Sequence, residues 1–577
     1  MSPLLDILGP TARCSAIKGA LARLARQRGA ASTPPAVVNA LLDLAGHTPD
    51  RPLYRRRLLE PAFGRGEVLL AAIERLLASY SLAGGQASEA VHALRDAIRA
   101  VELHVAGHDA AARAVEARLI AAGLSERDAH RLRTIWLVRD DFLLCHLNGE
   151  FDCVVGHPPQ TRLERLPSVL RREYRRRFHT LYDRADVSIA FFERALDRLA
   201  PAGRLGFVGS SRWLKNKSGG PLRTKIALEF ALTHFIDLEG LEAFTSNGIA
   251  ESALMFIERP PVEFHDAVSG CTRLVKPGVL SLPEQLPYLV TALGAESLDE
   301  ALLAEVRLGG ARRDAPWLLD GGEHLDLIHR FEHAYPTLNE AGCQIGHGVA
   351  TGCDRVFIDD YPSLPVESAC KLPLIMARDL VDGEIQWHGQ GVINPFQPDG
   401  RLVDLDEHPR LADYLERHRA AIAGRHVARR NPTAWYRTID RIDPSLVGQP
   451  KLLMADVKGE TKVVFDEGHF YPHHSLCYVT TSEWEPRALQ AVLCSSVAVA
   501  MIATYGTRSA GGSTRLQASS LRRLRIPRWA EVSETQRTEL AAVALDGDRD
   551  AIDEAVFRLY GLDGREAEYI RAMARWH

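Results

Sequence analysis

The sequence predicts an α/β protein in two parts, an N-terminal doubly wound sheet of the nucleotide-binding kind and a C-terminal α/β domain. Three observations carry this reading. Short apolar runs ending in glycines or acids alternate with helical patterns between Leu58 and Val155. The first run enters its helix through a Gly-x-Gly loop, and from Gln344 the chain becomes glycine-punctuated and strand-like. At 577 residues the chain also exceeds what one core normally holds.

The first element is Leu58-Leu59 entering Glu60-Pro61-Ala62-Phe63-Gly64-Arg65-Gly66, followed by a helical pattern through Ile73. Gly64 and Gly66 let the backbone approach a ligand closely, and the helix start beyond them offers free amides. A second strand-like run, Val101–Gly107, ends in His108-Asp109 and passes into an alanine-rich helix over 110–122. An acid at that strand end is placed to accept ribose hydroxyls; Asp109 reads equally as a helix N-cap. A third run, Thr134–Val138, ends in Arg139-Asp140-Asp141-Phe142.

The fourth run, Phe151–Val155, ends at Gly156 and is followed by His157-Pro158-Pro159-Gln160. Phe151, Cys153, Val154 and Val155 are apolar and strand-favouring, which fits a buried parallel strand. Two prolines then hold the chain extended and remove two donors, which leaves carbonyl acceptors at a strand's carboxyl end, where open α/β sheets bind ligands. In isolation the segment also reads as a structural Pro-Pro turn.

The order Glu-Pro-Ala-Phe-Gly-x-Gly, Gly-x-Asp, Asp-Asp-Phe, Gly-His-Pro-Pro-Gln resembles the gamma-class, TaqI-like adenine-N6 DNA methyltransferases of restriction–modification and related phage-defence systems. Further segments continue the likeness: Tyr182–Val187 with Phe191-Phe192, Leu199–Val208, Ser210–Leu214, Phe235–Leu238, and Met376–Leu380 and Lys451–Met454 in the second half. The resemblance implies a Rossmann-like class I methyltransferase domain over 1–265, a connector over 266–335, an α/β target-recognition domain over 336–530 and a helical tail over 531–577. It implies S-adenosyl-L-methionine as cofactor, with Thr33, Glu60, Pro61, Ala62, Gly64 and Gly66 around it, Asp109 on its ribose, and Asp141 with Phe142 at its adenine ring. His157, Pro158, Pro159 and Gln160 stand where the family carries Asn-Pro-Pro-Tyr or Asn-Pro-Pro-Phe. Phe244 is a candidate to stack the flipped base, or a core side chain.

The chemistry wants acceptors there. An adenine amino nitrogen is a poor nucleophile because its lone pair is delocalised, and two acceptors drawing its hydrogens expose that lone pair. A neutral imidazole at His157 offers one acceptor nitrogen and a protonated one offers none; Pro158 keeps its carbonyl. Gln160 has no aromatic face. An alternative function is therefore a catalytically impaired, methyltransferase-like DNA-recognition subunit. Cytosine ring-carbon methylation would need a loop cysteine, and Cys153 lies upstream on the strand.

Composition agrees with a cytoplasmic, nucleoid-associated protein: no signal segment or bilayer-length apolar stretch, and nine scattered cysteines with no Cys-x-x-Cys, so no metal site is expected. The net charge of -4 does not argue against double-stranded DNA, because binding depends on where cations cluster. Arg162, Arg165, Arg175 and Arg176 follow the Pro-Pro loop and are candidate phosphate contacts, or one exposed helix. Arg508 and Arg515 lie in a Gly/Ser-rich stretch that reads as a DNA-contacting loop or a solvated connection. No Pro-Asp…Glu-x-Lys nuclease pattern stands in a separate N-terminal domain, so cleavage is expected from a separate restriction endonuclease or defence-system subunit.

Overall fold

The computed structural model describes residues 10–26, 33–238, 241, 252–261, 271–276, 278–308, 316–319, 322–381, 383–457, 460–505 and 518–575. They form two compact units that divide between Leu325 and Asp326. Among the described residues no single helix is long and apolar enough to cross a membrane.

The first unit is built on a nine-stranded sheet of order β3-β2-β1-β4-β5-β7-β6-β8-β9. Its strands are β1 Leu58–Glu60, β2 Ile98–Val101, β3 Leu137–Val138, β4 Phe151–Gly156, β5 Leu199–Ser210, β6 Ala231–Asp237, β7 Ser252–Glu258, β8 Cys271–Val275 and β9 Leu303–Arg307. The first five pair in parallel, and β7 is antiparallel to both β5 and β6. Strand order reverses between β1 and β4, the crevice where such sheets hold ligands. The helices to which the site refers are α1 Pro10–Leu24, α2 Pro35–Leu44, α3 Glu67–Leu82, α4 Ala90–Leu94, α5 Val105–Ala121, α6 Glu126–Trp136, α7 Ser168–Arg177 and α8 Ser188–Leu196.

Each sheet face carries its own core. One gathers Val37, Leu41 and Leu42 of α2 with Val155, Leu254 and Phe256 of the strands. The other gathers Leu69, Ile73 and Leu76 of α3 with Leu119 of α5 and Leu132 and Trp136 of α6. Alternate apolar residues therefore leave β1 and β4 in both directions, as expected of a parallel sheet covered on both sides.

Three boundaries differ from the sequence reading. β2 ends at Val101 and α5 already begins at Val105, so Asp109 stands inside a helix rather than at a strand end. The apolar residues of 101–107 mark the strand-to-helix passage, which a period-two pattern over so short a run cannot separate from a strand. Thr134 lies in α6, its hydroxyl donating to the His130 carbonyl, and only Leu137–Val138 is strand. The stretch expected to connect two domains instead supplies β8 and β9 to the first sheet, β8 pairing in parallel with β6.

The second unit contains two four-stranded sheets. One has the order β10-β19-β16-β17 and is antiparallel, formed by β10 Cys343–His347, β16 Lys451–Val457, β17 Glu460–Asp466 and β19 Leu476–Thr481. The other has the order β11-β15-β12-β18, formed by β11 Ile358–Asp360, β12 Lys371–Ile375, β15 Gln390–Ile393 and β18 Tyr471–Pro472; β13 Leu380–Val381 and β14 Glu384–Ile385 make a separate hairpin. Lys451 and Asp466 form a fully buried ion pair at 2.7 Å, and Lys451 also donates to the Leu446 and Gln449 carbonyls. The helices of the C-terminal tail belong to this unit: Asp553 accepts from the Ser496 amide and hydroxyl at 2.7 and 2.6 Å, and Arg330 pairs with Glu566.

Candidate active site

The site assembles at the carboxyl ends of β1, β2, β3 and β4. Parallel register aligns Leu58 and Leu59 with Cys153 and Val154, which brings the Glu60-Pro61 turn beside Gly156. A side chain on Gly156 would have its Cβ 3.4 Å from Pro61 Cδ and 3.6 Å from Glu60 Cγ. Gly64 and Gly66 take left-handed φ values of 54° and 96°, a conformation that costs glycine little and other residues more. Gly66 then caps α3.

Glu102, immediately beyond β2, holds this glycine loop. Its Oε2 accepts from the Gly64 amide at 2.7 Å and its Oε1 from the His104 amide at 2.6 Å, and the residue is buried. Gly107, in the first turn of α5, is the counterpart on the other side. A Cβ there would lie 2.5 Å from the Gly64 carbonyl oxygen, so only glycine admits this approach. Glu102 was not among the expected site residues; its signal in the sequence is an acid three residues before the start of an alanine-rich helix, directly after a short strand.

Glu60 is 1% exposed, and its Oε2 finds no hydrogen-bond partner among the described residues. Burial, and then the neighbouring Glu67 and Glu102, raise its carboxyl well above the usual range. Three acids around a glycine loop, one with an orphaned oxygen, gather acceptor oxygens complementary to a positively charged ligand. That acceptor set fits S-adenosylmethionine, which carries an ammonium and a sulfonium.

Asp141 is buried too. Its Oδ1 accepts from the Leu143 amide at 2.9 Å and its Oδ2 from the Tyr174 hydroxyl of α7 at 2.7 Å. Desolvation raises its carboxyl, against the lowering effect of those two bonds. Phe142 behaves differently from expectation: it is 2% exposed, stacks on Phe191 of α8 at 5.1 Å and lies under the Arg194 guanidinium at 5.1 Å. This places its ring in the core, where it offers no open face to an adenine. Asp109 lies within α5, its side chain half exposed and 3.2 Å from His108 Nδ1.

At the Pro-Pro loop, His157 is buried and its Nδ1 lies 3.1 Å from the Thr33 hydroxyl, also buried, just ahead of α2. Burial pushes the imidazole down to about 4, so it is neutral near pH 7. Gln160 is half-buried, and its Nε2 has no hydrogen-bond partner among the described residues. After the loop the chain is tied down by an isolated bridge between Arg162 and Asp186 and by the Val187 amide donating to the Thr161 carbonyl. Arg162, Arg165, Arg175 and Arg176 are exposed along this segment and α7, though Arg176 pairs with Glu173 at 2.8 Å and Arg175 donates to the Asp183 carbonyl. Phe244, Arg508 and Arg515 lie outside the described residues. In the second unit, Asp354, His473 and His474 bring ligand-capable atoms within 4.8 Å of one another, a convergence with no motif in the sequence.

Fold and site together define a Rossmann-like class I methyltransferase domain followed by an α/β domain. Residues 108–244 match the Eco57I restriction-modification methylase family. The chain is 48% identical to the Type II methyltransferase M.PaeR7I of Pseudomonas aeruginosa, over 93% of this chain and 92% of that protein. It is 45% identical to the Type II methyltransferase M.XhoI of Xanthomonas vasicola, over 94% and 99%, and 34% identical to M.BstVI of Geobacillus stearothermophilus, over 95% and 98%. The chain belongs to the Type II methyltransferases of restriction–modification systems. Among solved structures, the Type IIL restriction-modification enzyme MmeI in complex with DNA shares the fold, with a TM-score of 0.54 at 11% identity over 98% of this chain and 78% of that one.

Proposed function

We propose that this methyltransferase acts in the cytoplasm on double-stranded DNA, moving a methyl group from S-adenosylmethionine to the N6 amino group of adenine. The observation that carries the reading is the buried, orphaned Glu60 carboxyl beside a glycine loop, with a neutral histidine and a proline carbonyl at the end of the adjacent strand. When bound, the cofactor supplies an electrophilic methyl group. Glu60 and the loop of Gly64 and Gly66 would hold its methionine part. Glu102, in the place expected of Asp109, would meet the ribose, and Asp141 the adenine ring.

On the acceptor side, the target base leaves the duplex to reach the loop. The Pro158 carbonyl and the His157 Nε2 lone pair each accept a hydrogen bond from its amino group, which turns the nitrogen lone pair outward. For Nε2 to accept, the neutral ring must carry its proton on Nδ1, and the Thr33 hydroxyl stands where it can accept that proton. Burial of His157 thus serves the reaction, because an imidazolium would have no lone pair to offer.

A second reading is favoured by Gln160. Without an aromatic face at that position the loop lacks stacking worth roughly 1–3 kcal/mol per base, which fits a subunit that recognises DNA with little turnover. Labelled cofactor and DNA separate the two. The first reading expects label on adenine; binding of DNA with no transfer would establish the second. A separate nuclease of the same operon is the proposed partner, and co-purification tests it.

A further inference from the structure

We propose that Gln160 reads the flipped base by hydrogen bonding, its side-chain amide donating to adenine N1, the ring acceptor next to the amino group. This rests on the adenine-methyltransferase reading and deepens it. The amide nitrogen of Gln160 is shielded from water and has no partner among the described residues. Buried donors are almost always paired, and one left open beside a reacting loop is a donor waiting for its ligand.

Position supplies the identity of that ligand. Gln160 follows His157 across Pro158-Pro159, and three residues of extended chain span roughly 10 Å. A base whose amino group is held at one end of this loop presents its Watson–Crick edge to the other. On adenine that edge reads donor at N6, then acceptor at N1. His157, neutral and buried, accepts from the first, and Gln160 donates to the second.

Guanine and thymine carry an N–H in the place of N1, so they would set donor against donor. A site built to hydrogen-bond its substrate rejects an analogue that leaves the bond unmade more strongly than an apolar site rejects a change of shape. Gln160 thus replaces attraction by stacking, which accepts every base, with a contact that selects.

The test is a cycle between protein and base. The substrate is a duplex carrying the protein's own site, mapped by modified-base sequencing of a plasmid that bears the gene, with either adenine or 1-deazaadenine at the target. Loss of one buried hydrogen bond predicts a drop in kcat/KM of about 5- to 150-fold. The wild type should lose that much with 1-deazaadenine. The Gln160→Ala variant should lose a comparable amount with adenine and show no further loss with 1-deazaadenine, while its melting and cofactor binding match the wild type. Losses that multiply independently, or a wild type indifferent to the missing N1, would overturn the proposal even if the variant folds poorly, because the second result needs no variant. Wild-type protein that methylates no DNA at all would overturn the adenine-methyltransferase reading and this inference with it.

Discussion

Replacing Thr33 by valine should slow methyl transfer without weakening cofactor binding. Valine keeps the shape of threonine but has no hydroxyl, and the Thr33 hydroxyl is the hydrogen-bond partner of His157 Nδ1 at 3.1 Å, with both residues buried. When the target amino group donates to Nε2, the ring proton must sit on Nδ1. In the variant that N–H is buried and unpaired, a penalty of about 1–3 kcal/mol, or roughly 5- to 150-fold in kcat at 1.36 kcal/mol per factor of ten. Single-turnover transfer of labelled methyl groups reads the step directly. Thr33→Ser should restore most of the rate. In a His157→Asn background, where no ring proton needs a partner, Thr33→Val should change the rate by less than about twofold. An equal loss in both backgrounds would refute the reasoning, as would a loss confined to KM for the cofactor.

Further outcomes follow from the same geometry. Cofactor affinity should rise with pH through the raised Glu60 titration, since only the ionised carboxyl complements a cation; Glu60→Gln should flatten that dependence in calorimetry. Gly107→Ala sets a Cβ 2.5 Å from the Gly64 carbonyl and should weaken cofactor binding by displacing the loop, while leaving α5 intact by circular dichroism. Tyr174→Phe removes a bond to a buried carboxylate and should lower stability to chemical denaturation by about 1.5–3 kcal/mol. His157, held near 4 against an ordinary 6.5, is protonated in the unfolded chain before the folded one as pH falls. Its contribution is therefore complete above pH 6.5 and is lost between 6.5 and 4, about 3 kcal/mol in all. His157→Asn should be the less acid-sensitive protein in denaturation at pH 5.

What the sequence revealed and what it hid divide along physical lines. Strand β4 and the Glu60–Gly66 turn were legible because a mostly apolar run, a Pro-Pro pair and a Gly-x-Gly loop each have few structural meanings. Glu102 was missed because strand and helix abut within four residues there, and pairing decides where one ends, not periodicity. Phe142 illustrates the limit of motif order: its neighbour Asp141 is held at the sheet edge, yet one residue on the chain has turned inward onto Phe191. The Thr33–His157 and Tyr174–Asp141 bonds join residues 124 and 33 positions apart, contacts that no local pattern encodes. The extension of the sheet through β8 and β9 was invisible for the same reason, since their pairing with β6 and with each other joins segments far apart in the chain.

The most direct test of the account is to incubate the purified full-length protein with labelled S-adenosylmethionine and duplex DNA, then to digest the DNA to nucleosides and identify the product. The account predicts label in N6-methyladenine, at a rate that falls below about pH 4 to 5 as His157 takes up a proton. DNA that is bound but carries no label, or label found on cytosine, would contradict it.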